Sequence, residues 1–392
     1  MQSMTISQPR IGYYICDGIN FESKIRALLH SKSTGKPVEW IFNDKVFRSF
    51  NWLVEPELDL ESLYDKRARQ LREKYDYLIL SYSGGADSHN ALMSFVRQGL
   101  HIDEILVNTM ETASSKFVDL DPNNKSPENT PAEYQLQTVP RLKEIAWQIP
   151  KTKITVTDLT DHIFSSFEDA KDASWVLTKK ERINPVGTTR YNYLYFNEVR
   201  KNFDRNKKIA LVMGIEKPKV QIVDGNLFMT FLDRVVNTAS VADHFWEYTN
   251  SSIEFFYWSP DCVPLMIKQG HVIKRWLEAN PALQVDWLKE NITPEKARRY
   301  QEKLLKGLLY STWNQDWFQT EKAVRDWDSE FDNWFIDGYK ETKAFQIWKE
   351  GVDFLRTELD GFHNIQKGEP NGLVFFSKHY NLGPVKNFTK PL

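Results

Sequence analysis

A short apolar run, Leu78-Ile79-Leu80-Ser81-Tyr82, stops at Ser83-Gly84-Gly85-Ala86-Asp87, and Ser88 opens a helical pattern through Asn90, Ala91, Leu92, Met93 and Phe95. A strand that passes through adjacent glycines into a helix begins a βαβ unit, and it commits the chain to a parallel sheet with helical crossovers. Further segments of strand character are Glu104 to Thr109, Lys153 to Thr157, Lys208 to Met213 and Ile253 to Trp258. Each is largely apolar or β-branched at its middle, as a sheet buried on both faces requires. Helical connections are expected at Ser88 to Gln98, Glu133 to Gln148 and Tyr191 to Phe203, with Pro140 kinking the second or marking its first turn. The expected fold is α/β, with an open parallel five-stranded sheet.

What flanks this sheet reads differently. Residues 1–57 suggest a small N-terminal α/β unit: an apolar Ile11 to Ile15, a helical Phe21 to Leu29, then Val38 to Phe42 and Val46-Phe47 as two arms about an Asn43-Asp44 turn. Leu58 to Lys74 carries apolar residues at helical spacing and leads into the main domain, residues 58–262. Asp119 to Pro131 reads as a long loop of the kind that forms lids or substrate contacts, and Val220 to Phe231 as a hairpin turning at Asp224-Gly225-Asn226. Residues 263–392 read as a helical C-terminal layer, through Met266 to Leu277, Pro294 to Leu309, Trp317 to Trp327 and Ser329 to Leu359. Trp313 with Trp317, and Trp327 with Trp334, favour packing over base stacking.

Composition excludes several classes. A formal net charge of −2 over 392 residues argues against holding a nucleic acid backbone by bulk charge, although a local basic groove stays open. Cys16 and Cys262 form neither a disulfide framework nor a zinc pattern, which suits a reducing compartment. No stretch reaches the roughly 20 apolar residues that a bilayer crossing needs, so a cytoplasmic, non-membrane protein is expected.

Chemistry concentrates at the glycine turn. A loop that enters a helix from the carboxyl end of a parallel strand aims unpaired N–H groups and the positive end of the helix dipole at one point, where a phosphate fits. Gly84 and Gly85 let the main chain approach closely, Ser83 and Ser88 add hydroxyls, and Asp87 reads either as a Mg²⁺ ligand or as a cap. The pattern Ser83-Gly84-Gly85-Ala86-Asp87-Ser88 resembles the PP-loop of N-type ATP pyrophosphatases, whose sheet is adenine nucleotide α-hydrolase-like (the HUP fold). The resemblance implies ATP, Mg²⁺ and adenylation: a substrate oxygen attacks the α-phosphate, pyrophosphate leaves into the loop, and a second nucleophile displaces AMP.

Other strand ends should complete the site. The resemblance places Asn108 against adenine and ribose, and Gly214 where the backbone comes close to the nucleotide. Lys217 and Lys219 are candidates to neutralise phosphate charge, Arg190 is a further cationic candidate, and Lys268 is a candidate for the late lysine that holds pyrophosphate in asparagine-synthetase-like members. His89 and His271 carry no assigned role.

Missing signatures trim the second half-reaction. Paired cysteines, a zinc cysteine cluster and the cysteine motif of phosphoadenosine-phosphosulfate reductases are not found, and the chain begins Met1-Gln2 with no glutaminase cysteine. The expectation is an ATP-dependent ligase or transferase coupling an activated oxygen to an amine or other nucleophile. Two alternatives stay open: sulfur or group transfer to a tRNA or DNA base, and a non-catalytic adenine nucleotide sensor. The acceptor is a small molecule or a nucleic acid, and self-association is left open.

Overall fold

The computed structural model describes residues 12–115, 118–162, 172–178, 206–233, 250–292, 301–320, 330–359 and 374–388. The N-terminal unit comprises β1 (Tyr13–Cys16), β2 (Ile19–Phe21), α1 (Lys24–Thr34), β3 (Val38–Ile41) and α2 (Asp44–Phe47). Its strands form an antiparallel sheet in the order β2-β1-β3. The expected hairpin arm at Val46-Phe47 is instead helical. Asn43 takes the left-handed conformation at φ 54°, and the chain turns into α2, which buries Phe47. A two-residue apolar run fits either period, and burial of Phe47 decides for the helix.

Asp59 caps α3 (Leu60–Lys74) by accepting from Ser62 N at 2.7 Å. There follow β4 (Tyr77–Ser81), α4 (Ala86–Val96), β5 (Glu104–Thr109), α5 (Glu111–Ser114), α6 (Val139–Ile145), β6 (Lys153–Asp158) and β7 (Ile209–Met213). After a hairpin of β8 (Lys219–Val223) and β9 (Asn226–Thr230) comes β10 (Ser251–Phe255). The five strands β10-β7-β4-β5-β6 lie in that order and are all parallel. Leu78, Ile79 and Leu80 at the centre are buried, as the continuous apolar run requires. The chain therefore starts in the middle, moves outward through β5 and β6, and returns to the other side for β7 and β10. The strand order reverses between β4 and β7, the place where ligands bind in open α/β sheets.

The last of these strands begins and ends earlier than expected. Phe256, Tyr257 and Trp258 are fully buried, but they leave the ladder to pack into the core. Glu133 to Gln148 breaks into a π-turn (Tyr134–Thr138), α6 with Pro140 in its first turn, and a 3₁₀ turn (Ala146–Gln148). The helix expected at Tyr191 to Phe203 lies outside the described residues.

The C-terminal region contributes α7 (Val263–Ala279), α8 (Glu302–Leu309), α9 (Glu330–Tyr339) and α10 (Lys343–Glu358). It also holds a strand, β11 (Tyr380–Pro384), which joins the hairpin as an antiparallel sheet in the order β11-β9-β8. Residues 311–320 form turns, so Trp313 and Trp317 do not share a helical face.

One buried core runs through the N-terminal unit, the parallel sheet, α7 and β11. Aromatic rings join the parts: Phe42 lies 5.3 Å from Phe231, Phe231 5.0 Å from Trp258, and Trp52 stacks on Tyr380 at 4.5 Å. A second cluster packs α10 against Trp175 and Val176. Among the described residues no helix is long and apolar enough to cross a membrane.

Candidate functional site

The turn after β4 is held from within and from behind. Gly84 has φ +69°, and a Cβ there would meet Thr138 Cα at 2.8 Å, so both conformation and close approach require glycine. Ser88 Oγ accepts from Ser83 N at 3.3 Å and donates to Gly85 O at 3.2 Å, while Ser83 Oγ accepts from Gly85 N at 3.3 Å. From behind, Thr138 Oγ1 and Gln137 Nε2 donate to Ser83 O at 2.7 and 3.2 Å. Gly85 is the cap residue of α4, so Ala86, Asp87 and Ser88 bring the first N–H groups of the helix, which have no partner within it. The result is a braced turn that aims the first N–H groups of α4 at one point.

The loop after β7 forms the adjoining wall. A Cβ on Gly214 would lie 2.9 Å from Ser88 N and Cα, so glycine lets this loop rest on the first turn of α4. Three residues later Lys217 Nζ reaches Asp87 Oδ2 at 2.6 Å. The other oxygen of Asp87 accepts from the Tyr310 hydroxyl at 2.5 Å, and the Asp87 carbonyl accepts from Tyr257 at 2.8 Å. The Lys217 side chain is 4% exposed and that of Asp87 21%, so the carboxylate faces the opening while the ammonium sits behind it. Burial works against the charge on Lys217, but Asp87, Glu302 and Glu216 outweigh it and hold its pKa above the usual lysine range. Lys219 is tied away from the turn by Glu216 at 3.0 Å and Glu302 at 3.4 Å.

These two loops open on a cleft of about 340 Å³, within the range of small-molecule sites. Its remaining walls are Glu133 and Gln137, the α8 residues Glu302, Lys303 and Lys306, and Trp313, Gln319 and Thr320 beyond them. The buried Arg141 locks these walls together. It donates to Gln137 O at 2.8 Å, and its guanidinium lies 4.4 Å from the ring of Trp317 and 5.0 Å from that of Trp313. Burial lowers its pKa to about 10.

Of the residues singled out from sequence, Ser83, Gly84, Gly85, Asp87, Ser88, Gly214 and Lys217 come together here. Gly214 serves loop-to-loop contact. Asn108 stands at the carboxyl end of β5, opposite Thr157 and next to β4, but does not line the cleft. The structure places Lys268 elsewhere: on α7 it pairs with Glu55 at 2.7 Å and donates to Pro56 O at 2.9 Å. Arg190 lies outside the described residues. Tyr310, Tyr257 and Thr138 reach the turn, and Glu302 the cleft wall, from distant parts of the chain with no local motif, so none was anticipated.

His89 and His271 are framework residues. His89 is buried against Tyr82, 3.0 Å from its hydroxyl, and burial with the nearby Arg141 lowers its pKa to about 4. His271 lies 3.0 Å from Trp52 O, and burial lowers its pKa as well. Cys16 and Cys262 are buried and free. Among the described residues no group of three or more His, Cys, Asp and Glu is placed to hold a metal ion. A Mg²⁺ site built from one carboxylate and substrate phosphates needs no such group.

No protein-family model matches the chain, and no curated protein matches it.

Proposed function

We propose that the cleft binds ATP with Mg²⁺, and that the chain is a PP-loop ATP pyrophosphatase with an adenine nucleotide α-hydrolase-like sheet. It adenylates a substrate oxygen, releases pyrophosphate and couples the product to an amine or other nucleophile. The observation that carries this reading is the placing of the Ser83–Ser88 turn at the strand-order switch, with Lys217 buried behind Asp87.

The N–H groups of Ala86, Asp87 and Ser88 would donate to oxygens of the outer phosphates. Lys217, held charged, is fixed beside the point where negative charge grows on departing pyrophosphate, and a preorganised cation of this kind contributes most in the transition state. Asp87 with the hydroxyls of Ser83 and Ser88 offers the hard oxygen donors that suit Mg²⁺, which would neutralise phosphate charge there. The two buried free cysteines suit a cytoplasmic setting.

The test is to incubate the protein with α-labelled ATP, Mg²⁺ and separate metabolite and RNA fractions of a cell extract. The expected outcome is labelled AMP that depends on one metabolite fraction. Dependence on the RNA fraction would move the reading to base modification. Binding of ATP with no AMP from any fraction would leave a nucleotide sensor.

A further inference from the structure

We propose that Tyr310 is a positioning residue for Asp87, so that the C-terminal region sets how strongly the cleft takes Mg²⁺ with nucleotide; the inference rests on the nucleotide reading of the cleft. Tyr310 follows α8, 223 residues along the chain from Asp87, and its hydroxyl donates to Asp87 Oδ1.

The ring that carries this hydroxyl is held in place. Tyr310 is 1% exposed, and its ring packs 5.7 Å from Tyr257 and 6.2 Å from Tyr64. Both neighbours are anchored: Tyr64 donates to Leu309 O at 3.0 Å and accepts from Gln269 at 3.1 Å, and Tyr257 donates to Asp87 O and accepts from Asn90 at 3.0 Å. Three tyrosines from α3, the segment after β10 and the end of α8 thus form a buried bracket behind the turn.

The two oxygens of Asp87 are served by chemically different partners. Lys217 at Oδ2 supplies countercharge, whereas Tyr310 at Oδ1 supplies direction without cancelling charge. A carboxylate on the first turn of a helix rotates about two side-chain bonds, and a donor at each oxygen fixes both. Outer hydrogen-bond partners of this kind commonly govern the affinity of a metal-ligating carboxylate.

The experiment compares wild type, Tyr310→Phe and Tyr380→Phe by titration calorimetry with ATP, once with Mg²⁺ and once with a chelator, alongside thermal unfolding. Phenylalanine keeps the ring packing. Tyr380 is the control, because its hydroxyl donates to Asp44 Oδ1 at 2.9 Å, a buried bond of the same type away from the cleft. Tyr310→Phe is expected to weaken ATP binding about 10-fold or more in Mg²⁺ and to leave binding in chelator unchanged. Tyr380→Phe is expected to lower thermal stability with no change in either titration. Unchanged binding by Tyr310→Phe, or an equal loss with and without Mg²⁺, overturns the inference. So does a further loss when Tyr310→Phe is added to Asp87→Ala, which removes the acceptor, since the effect must pass through Asp87. Wild type that binds no ATP in either condition removes the nucleotide reading itself, before any substitution is made.

Discussion

The molecule builds the same trio of side chains twice, and the two copies differ in their access to solvent. In one, Asp233 pairs with Lys24 at 2.8 Å and accepts from Tyr14 at 2.9 Å; in the other, Asp87 pairs with Lys217 at 2.6 Å and accepts from Tyr310. The side chains of Lys24 and Asp233 are 1% and 0% exposed, and Asp233 also accepts from Phe375 N at 2.9 Å. That trio is sealed between the N-terminal unit and the strand ends beyond β9. The Asp87 trio opens on a cleft, beside the N–H groups of a helix start. Residue types alone do not separate a structural cluster from a chemical one; access and the surrounding dipoles do.

Substitution should separate the two trios. Asp233→Ala leaves Lys24 buried without its countercharge and is expected to cost about 3–5 kcal/mol in denaturant unfolding, with ATP affinity retained by the folded fraction. Asp87→Ala should show the reverse pattern, a loss of roughly 100- to 1,000-fold in pyrophosphate release with a smaller loss of stability, because Glu302 and Glu216 still face Lys217. Equal stability losses for the two would erase the distinction.

His89 sharpens the contrast, as a buried base on α4 whose charged neighbour, Arg141, has its own sign. Its pKa is about 4 in the folded chain against 6.5 ordinarily, so the unfolded chain binds the proton first. Stability from keeping it neutral is full above about pH 6.5 and is lost as pH falls toward 4, on the order of 3 kcal/mol in all. Unfolding of His89→Gln followed across that window should show a correspondingly shallower acid slope than wild type. The smallest effect belongs to Lys268→Met, which breaks a partly exposed pair with Glu55. It should cost about 1 kcal/mol or less and leave pyrophosphate release unchanged.

The parallel sheet was legible because its signals are local. Each strand is a continuous apolar or β-branched segment, and the Gly84-Gly85 turn stands between a strand and a helix of unmistakable period. Asp87 and Lys217 were singled out because both follow strand ends, and the structure pairs them. Tyr310 was not, since nothing around Leu309-Tyr310-Ser311 marks a residue whose partner lies 223 positions away. Strand β11 was missed for a similar reason: Tyr380-Asn381-Leu382-Gly383-Pro384 contains glycine and proline, and pairing with β9, not intrinsic preference, makes it a strand. Lys268 shows the converse error. A lysine placed late in the sequence is not thereby near the turn, and the ion pair with Glu55 takes it to the N-terminal unit.

Stacking of Tyr380 on Trp52, with its hydroxyl on Asp44 336 positions away, has a consequence for the order of events in biogenesis. As the chain leaves the ribosome, the aromatic floor of the first unit waits for the strand that completes it. Contacts of such high sequence separation slow folding and leave apolar surface uncovered meanwhile. The unit that precedes α3 is therefore made well before β11 yet closed only when β11 arrives, and its aromatic surface stays open in that interval.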